Sequence, residues 1–332
     1  MRSRFVFALL CALCVSAMDV SAQAAPQTSL QTFAWQIGGT WVAEGEFAGL
    51  GKYTAQRSYR WVLEGRFIEM QQVLRTGGAQ SVTVGIIGWD MARGHVAGWG
   101  FSDDGSMALT ECSITSPGDF VFEGRLVGGA HPGPVHGVFH RTGPDGFTET
   151  VHAKSGNEWQ PLFQFAFSRK QAPLEPATDT NGMPAPELRL LQPLVGAWEQ
   201  VSEFTNTRIT TEVRFHWTLH GRILRVDEIA RAQHKKSVRE TQQMVSFFGY
   251  DAERKSIVGY RFEADGLVCS SRVTSAEGAR PIVMEGEQAG RQQRVVRNSY
   301  RAEDDGSLLI TTEFQQQGIF QVAANMTLHR KP

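Results

Sequence analysis

Apolar and polar residues alternate with a period of two over most of this chain. In "AQRSYRWVL" the residues Tyr59, Trp61 and Leu63 fall on one face, with Ser58, Arg60 and Val62 on the other. "TEVRFHWTL" repeats the pattern with Val213, Phe215, Trp217 and Leu219 against Arg214, His216 and Thr218. Such alternation predicts half-buried β-strands. The runs are short and are broken by "LEGR", "DMARG", "DDGS", "GPDG", "LHGR", "DAERK" and "EDDGS", which predicts hairpins. Helix-length apolar stripes are missing, apart from short candidates in "LQTFAWQIG" and "PELRLLQPLVG".

The pattern occurs twice, in the same order. "QIGGTWVAEGEF" is matched by "PLVGAWEQVSEF", pairing Trp41 with Trp198. "YRWVLEGRFIEM" lies over "FHWTLHGRILRV", pairing Gly65-Arg66 with Gly221-Arg222. "GWDMARGHVAGWGFSDDG" lies over "GYDAERKSIVGYRFEADG", and "FSRK" over "LHRK". A repeat of this length means two whole domains rather than a solenoid. We place a first domain at 33–170, a linker rich in Pro, Ala and Thr at 171–187, and a second domain at 188–331. Each is expected to be a meander of about eight to ten antiparallel strands, closed into a barrel because closure removes exposed edges. The fold class is all-β, two barrels in tandem.

Composition adds a leader and removes some partners. Arg2 and Arg4 precede the apolar run "FVFALLCALCVSAM", and "SAQAA" follows, so residues 1–24 are expected to be a cleaved secretory signal of a bacterial protein, placing it in the periplasm or outside the cell. No later segment is apolar enough to span a bilayer as a helix. A formal net charge of −1 gives no reason to expect a nucleic-acid partner. Cys112 and Cys269 remain after the leader and could bridge or stay as two small buried residues. Oligomeric state is open.

The ordered set of motifs resembles a family. Gly-x-Trp after a short helical turn, in "GGTW" and "VGAW", looks like the N-terminal signature of the calycin superfamily of lipocalin-like barrels. The further set, Gly-Arg, Gly-(Trp/Tyr)-Asp, Gly-(Trp/Tyr)-x-Phe, Glu-Gly (Glu123 and Glu285) and a final Arg-Lys, is similar to uncharacterised bacterial domains related to the nitrobindins. The resemblance covers nearly all of both copies. It implies that Trp41 and Trp198 pack across the closed end of each barrel. It also raises haem, which nitrobindin-like barrels hold through a histidine on the last strand. The first copy has none there, and the second offers only His329 at the end of "FQVAANMTLHRK", among Gln321, Asn325 and Thr327. No haem, other cofactor or metal is therefore expected.

The candidate chemistry is sparse. His136 and His140 share one face of a strand, and His152 follows after the "TGPDG" turn, while His131 sits in a Pro-Gly loop. Three imidazoles could ligate a metal or supply acid-base groups, although no thiol or carboxylate is placed with them to complete a site. The second copy has Val296, Tyr300 and Thr312 or Glu313 at about those places. Arg66 and Arg222 recur and are expected to face a barrel mouth or solvent. Trp99 and Tyr260 recur beside a Gly, as candidates for the aromatic wall of a cavity. No Gly-x-Ser-x-Gly, phosphate loop or His-Glu-x-x-His is present. The leading expectation is a protein that binds a small, largely apolar molecule in one or both barrels, with Arg66, Trp99, His140, Arg222, Tyr260 and Tyr300 as contacts. The alternative is a cofactor-independent isomerase, cyclase or hydratase using His136, His140 and His152.

Overall fold

The computed structural model describes residues 29–47, 51–129, 132–171, 174, 182–204, 207–235, 237–275, 281–289 and 294–331. The expected leader at 1–24, His131 and much of the linker lie outside them.

The chain forms two closed antiparallel barrels of ten strands each, in simple meander order. The first comprises β1 (Thr40–Phe47), β2 (Gly51–Val62), β3 (Phe67–Thr76), β4 (Ala79–Asp90), β5 (His95–Ser102), β6 (Met107–Ser116), β7 (Asp119–Val127), β8 (Gly133–Gly143), β9 (Gly146–Ser155) and β10 (Glu158–Lys170). The second comprises β11 (Gly196–Phe204), β12 (Thr207–Thr218), β13 (Ile223–His234), β14 (Ser237–Asp251), β15 (Ser256–Glu263), β16 (Val268–Val273), β17 (Ile282–Ala289), β18 (Arg294–Ala302), β19 (Leu308–Gln316) and β20 (Ile319–Arg330). The short helical candidates are 3₁₀ turns, Ala34–Gln36 and Pro186–Leu194, which lead into β1 and β11.

Each barrel is closed at one end around the repeated Trp. Trp41 is fully buried and its indole N–H donates to the Gln36 carbonyl at 2.8 Å; Trp198 does the same to Leu194 at 2.8 Å. The final Arg of each copy completes the plug. Arg169 lies over the Trp41 ring at 4.3 Å and donates to the Ile37 and Gly38 carbonyls, while Arg330 lies over Trp198 at 5.2 Å and donates to Val195. These contacts pair a cation with an aromatic face and give carbonyls at the chain entry their donors.

The closing seam is short in both barrels. β1 pairs with β10 only from Thr40 to Val42, and β11 pairs with β20 only at Trp198 and Glu199. Near this seam Glu212 of β12, 4% exposed, receives Lys331 Nζ at 2.7 Å, Arg231 at 3.0 Å and Arg214 at 2.8 Å. Its carboxyl is held down to about 2, by Lys331 first and then, against the effect of burial, by Arg231 and Arg214. A depressed folded-state value means that this stability is fully present above the ordinary 4.5 and is lost as pH falls towards 2. Glu212→Gln is therefore expected to be less stable than the parent at pH 7, with the difference vanishing towards pH 2, read by denaturant unfolding across that range.

The two barrels share a core. Val62, Leu63, Phe67, Ile86, Trp99, Phe101 and Met107 of the first pack against Leu219, Ile223, Val245, Phe247, Phe262 and Val268 of the second. The contact is close to self-complementary: Trp99 meets Phe262 at 5.0 Å, and the repeat-equivalent pair, Phe101 and Tyr260, meets at 6.1 Å. This is the geometry of an isologous dimer interface inside one chain. Gly88 and Gly249 belong to it. A Cβ on Gly88 would lie 2.2 Å from the Phe67 ring, and one on Gly249 would lie 2.8 Å from Ile223 and 2.9 Å from Met107 of the other barrel.

Candidate functional site

Strand register sorts the candidate residues on strands onto an inner or an outer face, because successive side chains alternate. Trp99 and Tyr260 fall on the outer faces of β5 and β15 and sit in the contact between the barrels, with Trp99 3% exposed. They pack barrel against barrel instead of walling a cavity. Near Tyr260 is a gap of about 10 Å³ with Met107, Leu109 and Asp251, the room of a single water.

Arg66 and Arg222 owe their recurrence to a turn. Leu63-Glu64-Gly65 and Leu219-His220-Gly221 all have positive φ, between 51° and 80°, and both arginine N–H groups donate back to the leucine carbonyl at 3.1 Å. Non-glycine residues in that region are strained, and the turn is held because Leu63 and Leu219 are buried in the contact between the barrels. Arg66 is half-buried, and Arg222 is exposed beside the Gly105 turn of the first barrel. Neither is placed in a lumen.

The three histidines lie on the outer wall of the first barrel. His136 and His152 are directly opposite on β8 and β9, with ring centres 6.3 Å apart. His136 Nδ1 is 3.0 Å from Glu123 and its ring 5.8 Å from the exposed Trp159; His140 Nδ1 is 2.9 Å from Asp119. The structure thus joins His136 to His152 and sends His140 to a separate carboxylate. Among the described residues no group of three or more His, Cys, Asp or Glu is placed to hold a metal ion. His329 is exposed and pairs across to Glu199 at the closed end, outside the lumen. Cys112 and Cys269 are free, on inner faces of different barrels. Burial pushes the Cys112 thiol up to about 12 and that of Cys269 up to about 11, so neither is a nucleophile at neutral pH.

The two lumens differ. The first is filled along β1, β2 and β8 to β10. Phe139, Phe147, Phe165 and Phe167 stack within it, Phe47 stacks on Tyr53 at 4.2 Å, and Tyr53 meets Phe165 at 5.3 Å beside the seam. At its centre Arg57 and Glu149, 5% and 7% exposed, form an ion pair at 2.5 Å. Arg57 also donates to Tyr59 at 3.1 Å and to Gln72 at 2.8 Å. Burial opposes the Arg57 charge, and Glu149 and Tyr59 together outweigh it, raising the guanidinium further above its ordinary value.

In the second lumen the equivalent residues are smaller and wetter. Ile209 stands where the first barrel has Tyr53, Ala324 where it has Phe163, Met326 where it has Phe165, and Val213 and Ile310 where it has Arg57 and Glu149. Ile209, Thr211, Tyr300, Ile310, Thr312 and Met326 face inward yet are only half-buried, and Ala324 is exposed. Arg261, in the place of Gly100, is 32% exposed on an inner face. Its Nε lies 3.0 Å from Glu263, to which Gln288 also donates at 3.2 Å. Glu228, in the place of Gln72, completes the cluster from β13, and Tyr300 and Cys269 stand beside it.

No protein-family profile matches the chain, and no curated protein does. Among the solved structures it is similar to is the crystal structure of a protein of unknown function from the DUF3598 family of Nostoc punctiforme. Identity is 12% over 91% of this chain and 99% of that one, with a TM-score of 0.27.

Of the six ligand contacts expected from the sequence, Tyr300 alone faces this second lumen. Glu228, Arg261 and Glu263 carry no motif in the sequence. Their signal was available as a difference between the copies: Gln72 against Glu228, Gly100 against Arg261 and Ser102 against Glu263.

Proposed function

We propose that the chain is an exported binding protein that holds a small, largely apolar molecule with a polar head in its second barrel. The first barrel serves as its support. One observation carries this reading: along β12 and β18 to β20 the inward residues Ile209, Thr211, Tyr300, Ile310, Thr312 and Met326 are half-buried where their first-barrel equivalents are fully buried, so this side of the second lumen is accessible to solvent and the same side of the first is packed. Ile209, Ile310 and Met326 provide apolar lining, and Arg261, Glu228 and Tyr300 provide a few convergent polar groups, the mixture expected of a ligand site. The unpaired stretch of β11 and β20 beyond Glu199 gives the ligand a lateral entry beside Ala324. Export rests on the N-terminal leader pattern.

The test is to install the first barrel's rings in the second. Ile209→Tyr with Ala324→Phe is expected to weaken binding of a neutral apolar fluorophore, N-phenyl-1-naphthylamine, by about tenfold or more while the melting temperature holds or rises. Unchanged probe affinity in a folded double variant would remove the second lumen as the site.

A further inference from the structure

The polar end of the second lumen is unevenly charged. Arg261 is compensated by Glu263 at 3.0 Å, which leaves Glu228 as a second carboxylate. Glu228 makes no hydrogen bond or ion pair among the described residues. It rises from β13 between Val213 and Met244, its partners on β12 and β14, both buried and apolar. The charged and titratable groups that face it are Arg261 and Glu263 of β15, Cys269 of β16 and Tyr300 of β18. Arg294 stands further out, exposed, over the Phe314 ring at 5.7 Å.

Burial is the main cause of a raised Glu228 carboxyl; Glu263 adds to the rise and Arg261 opposes it. Tyr300 is pushed up to about 12 and Cys269 up to about 11 by burial, so neither brings a charge at neutral pH. Glu228 is half-buried between apolar neighbours, where a carboxylate without a partner is poorly solvated, and an incoming cation relieves that cost. A ligand carboxylate has no such place, since Arg261 is already engaged and two carboxylates would face the newcomer.

Resting on the proposed binding role of this lumen, we infer that the ligand's head is a cation of the aliphatic amine class. It is seated on the Glu228 carboxylate, with its apolar tail along Ile209, Ile310 and Met326. Glu228 accepts hydrogen bonds from the ammonium, and Tyr300 bounds the head from β18.

Calorimetric titration of the full chain with octylamine, octanol and octanoate tests this. The expected order is octylamine first, by about tenfold or more over octanoate, with octanol between them. Glu228→Gln, nearly isosteric, is expected to abolish the preference for the amine while leaving octanol affinity within about twofold. Should that variant fail to fold, the parent protein decides by pH. With a raised Glu228, octylamine affinity falls as pH drops through the Glu228 titration, and octanol affinity stays level. Octanoate binding tighter than octylamine, or octylamine affinity unmoved both by Glu228→Gln and by acid, overturns the amine inference and leaves the lumen as a binding site. No heat with any of the three removes the lumen reading itself.

Discussion

Arg57→Met is expected to destabilise the first barrel by about 3–5 kcal/mol, because it leaves Glu149 as an uncompensated charge in a packed lumen. The pair is enclosed by Phe139 and Phe167, whose rings lie 5.8 and 4.6 Å from the guanidinium carbon. Glu149 is only 7% exposed, so relaxation towards water offers little relief. Removing both charges should behave differently. The second barrel carries Val213 and Ile310 at these two positions, so the fold already accepts an apolar solution there. Arg57→Val with Glu149→Ile is therefore expected to recover most of the loss, within about 1–2 kcal/mol of the parent, measured by urea denaturation. A double variant as unstable as the single one would mean that the pair shapes the lumen through its bonds to Tyr59 and Gln72.

Reversing the charge at Glu69 is expected to uncouple the barrels. Glu69 and Arg225 occupy equivalent positions of the repeat and meet across the interface at 3.0 Å, 1% and 11% exposed. In a true homodimer such positions would face copies of themselves, Glu on Glu or Arg on Arg. Having two different residues there makes the pairing of first barrel with second favourable and of like with like unfavourable. Arg60 and Gln71 also donate to Glu69, and Arg225 forks onto Asp227 at 2.9–3.2 Å. Burial works against the charge on Arg225, and Glu69 with Asp227 outweighs it. Glu69→Arg would set three guanidinium groups together, a cost of about 3–5 kcal/mol at this burial. Differential scanning calorimetry should then resolve two transitions, where a single coupled one is expected of the parent. Adding Arg225→Glu should restore the coupling; if it does not, apolar packing alone holds the interface.

Much of the fold was legible because alternation and turns are local. The period of two in "AQRSYRWVL" and the order of motifs in both copies give tandem antiparallel barrels of about eight to ten strands, and each has ten. What alternation leaves open is which face is inside. Trp99 and Tyr260 are on outer faces, and they are covered because the other barrel lies there. A sign of this is present in "TVGIIGWD" and "MVSFFGYD", where the runs turn nearly continuously apolar, as expected of strands covered on both sides. The repeated Gly-Arg drew attention to the arginines, whereas the structural content is the left-handed turn that plants Leu63 and Leu219 in the interface.

The candidate site was less legible. Histidines stand out in a sequence, and those of the first copy fall on an outer wall. A lumen is made by omission, and Ala324 in place of Phe163 has meaning only once register aligns the two barrels. The same holds for Glu228, whose lack of a partner depends on the buried Val213 and Met244 beside it.

A crystal of the protein soaked in octylamine tests the division of labour between the barrels most directly. The account predicts ordered density inside the second barrel, its nitrogen within about 3 Å of Glu228 and its chain against Ile310 and Met326, with the first lumen unchanged. Density inside the first barrel, or bound molecules confined to the outer walls, would contradict it.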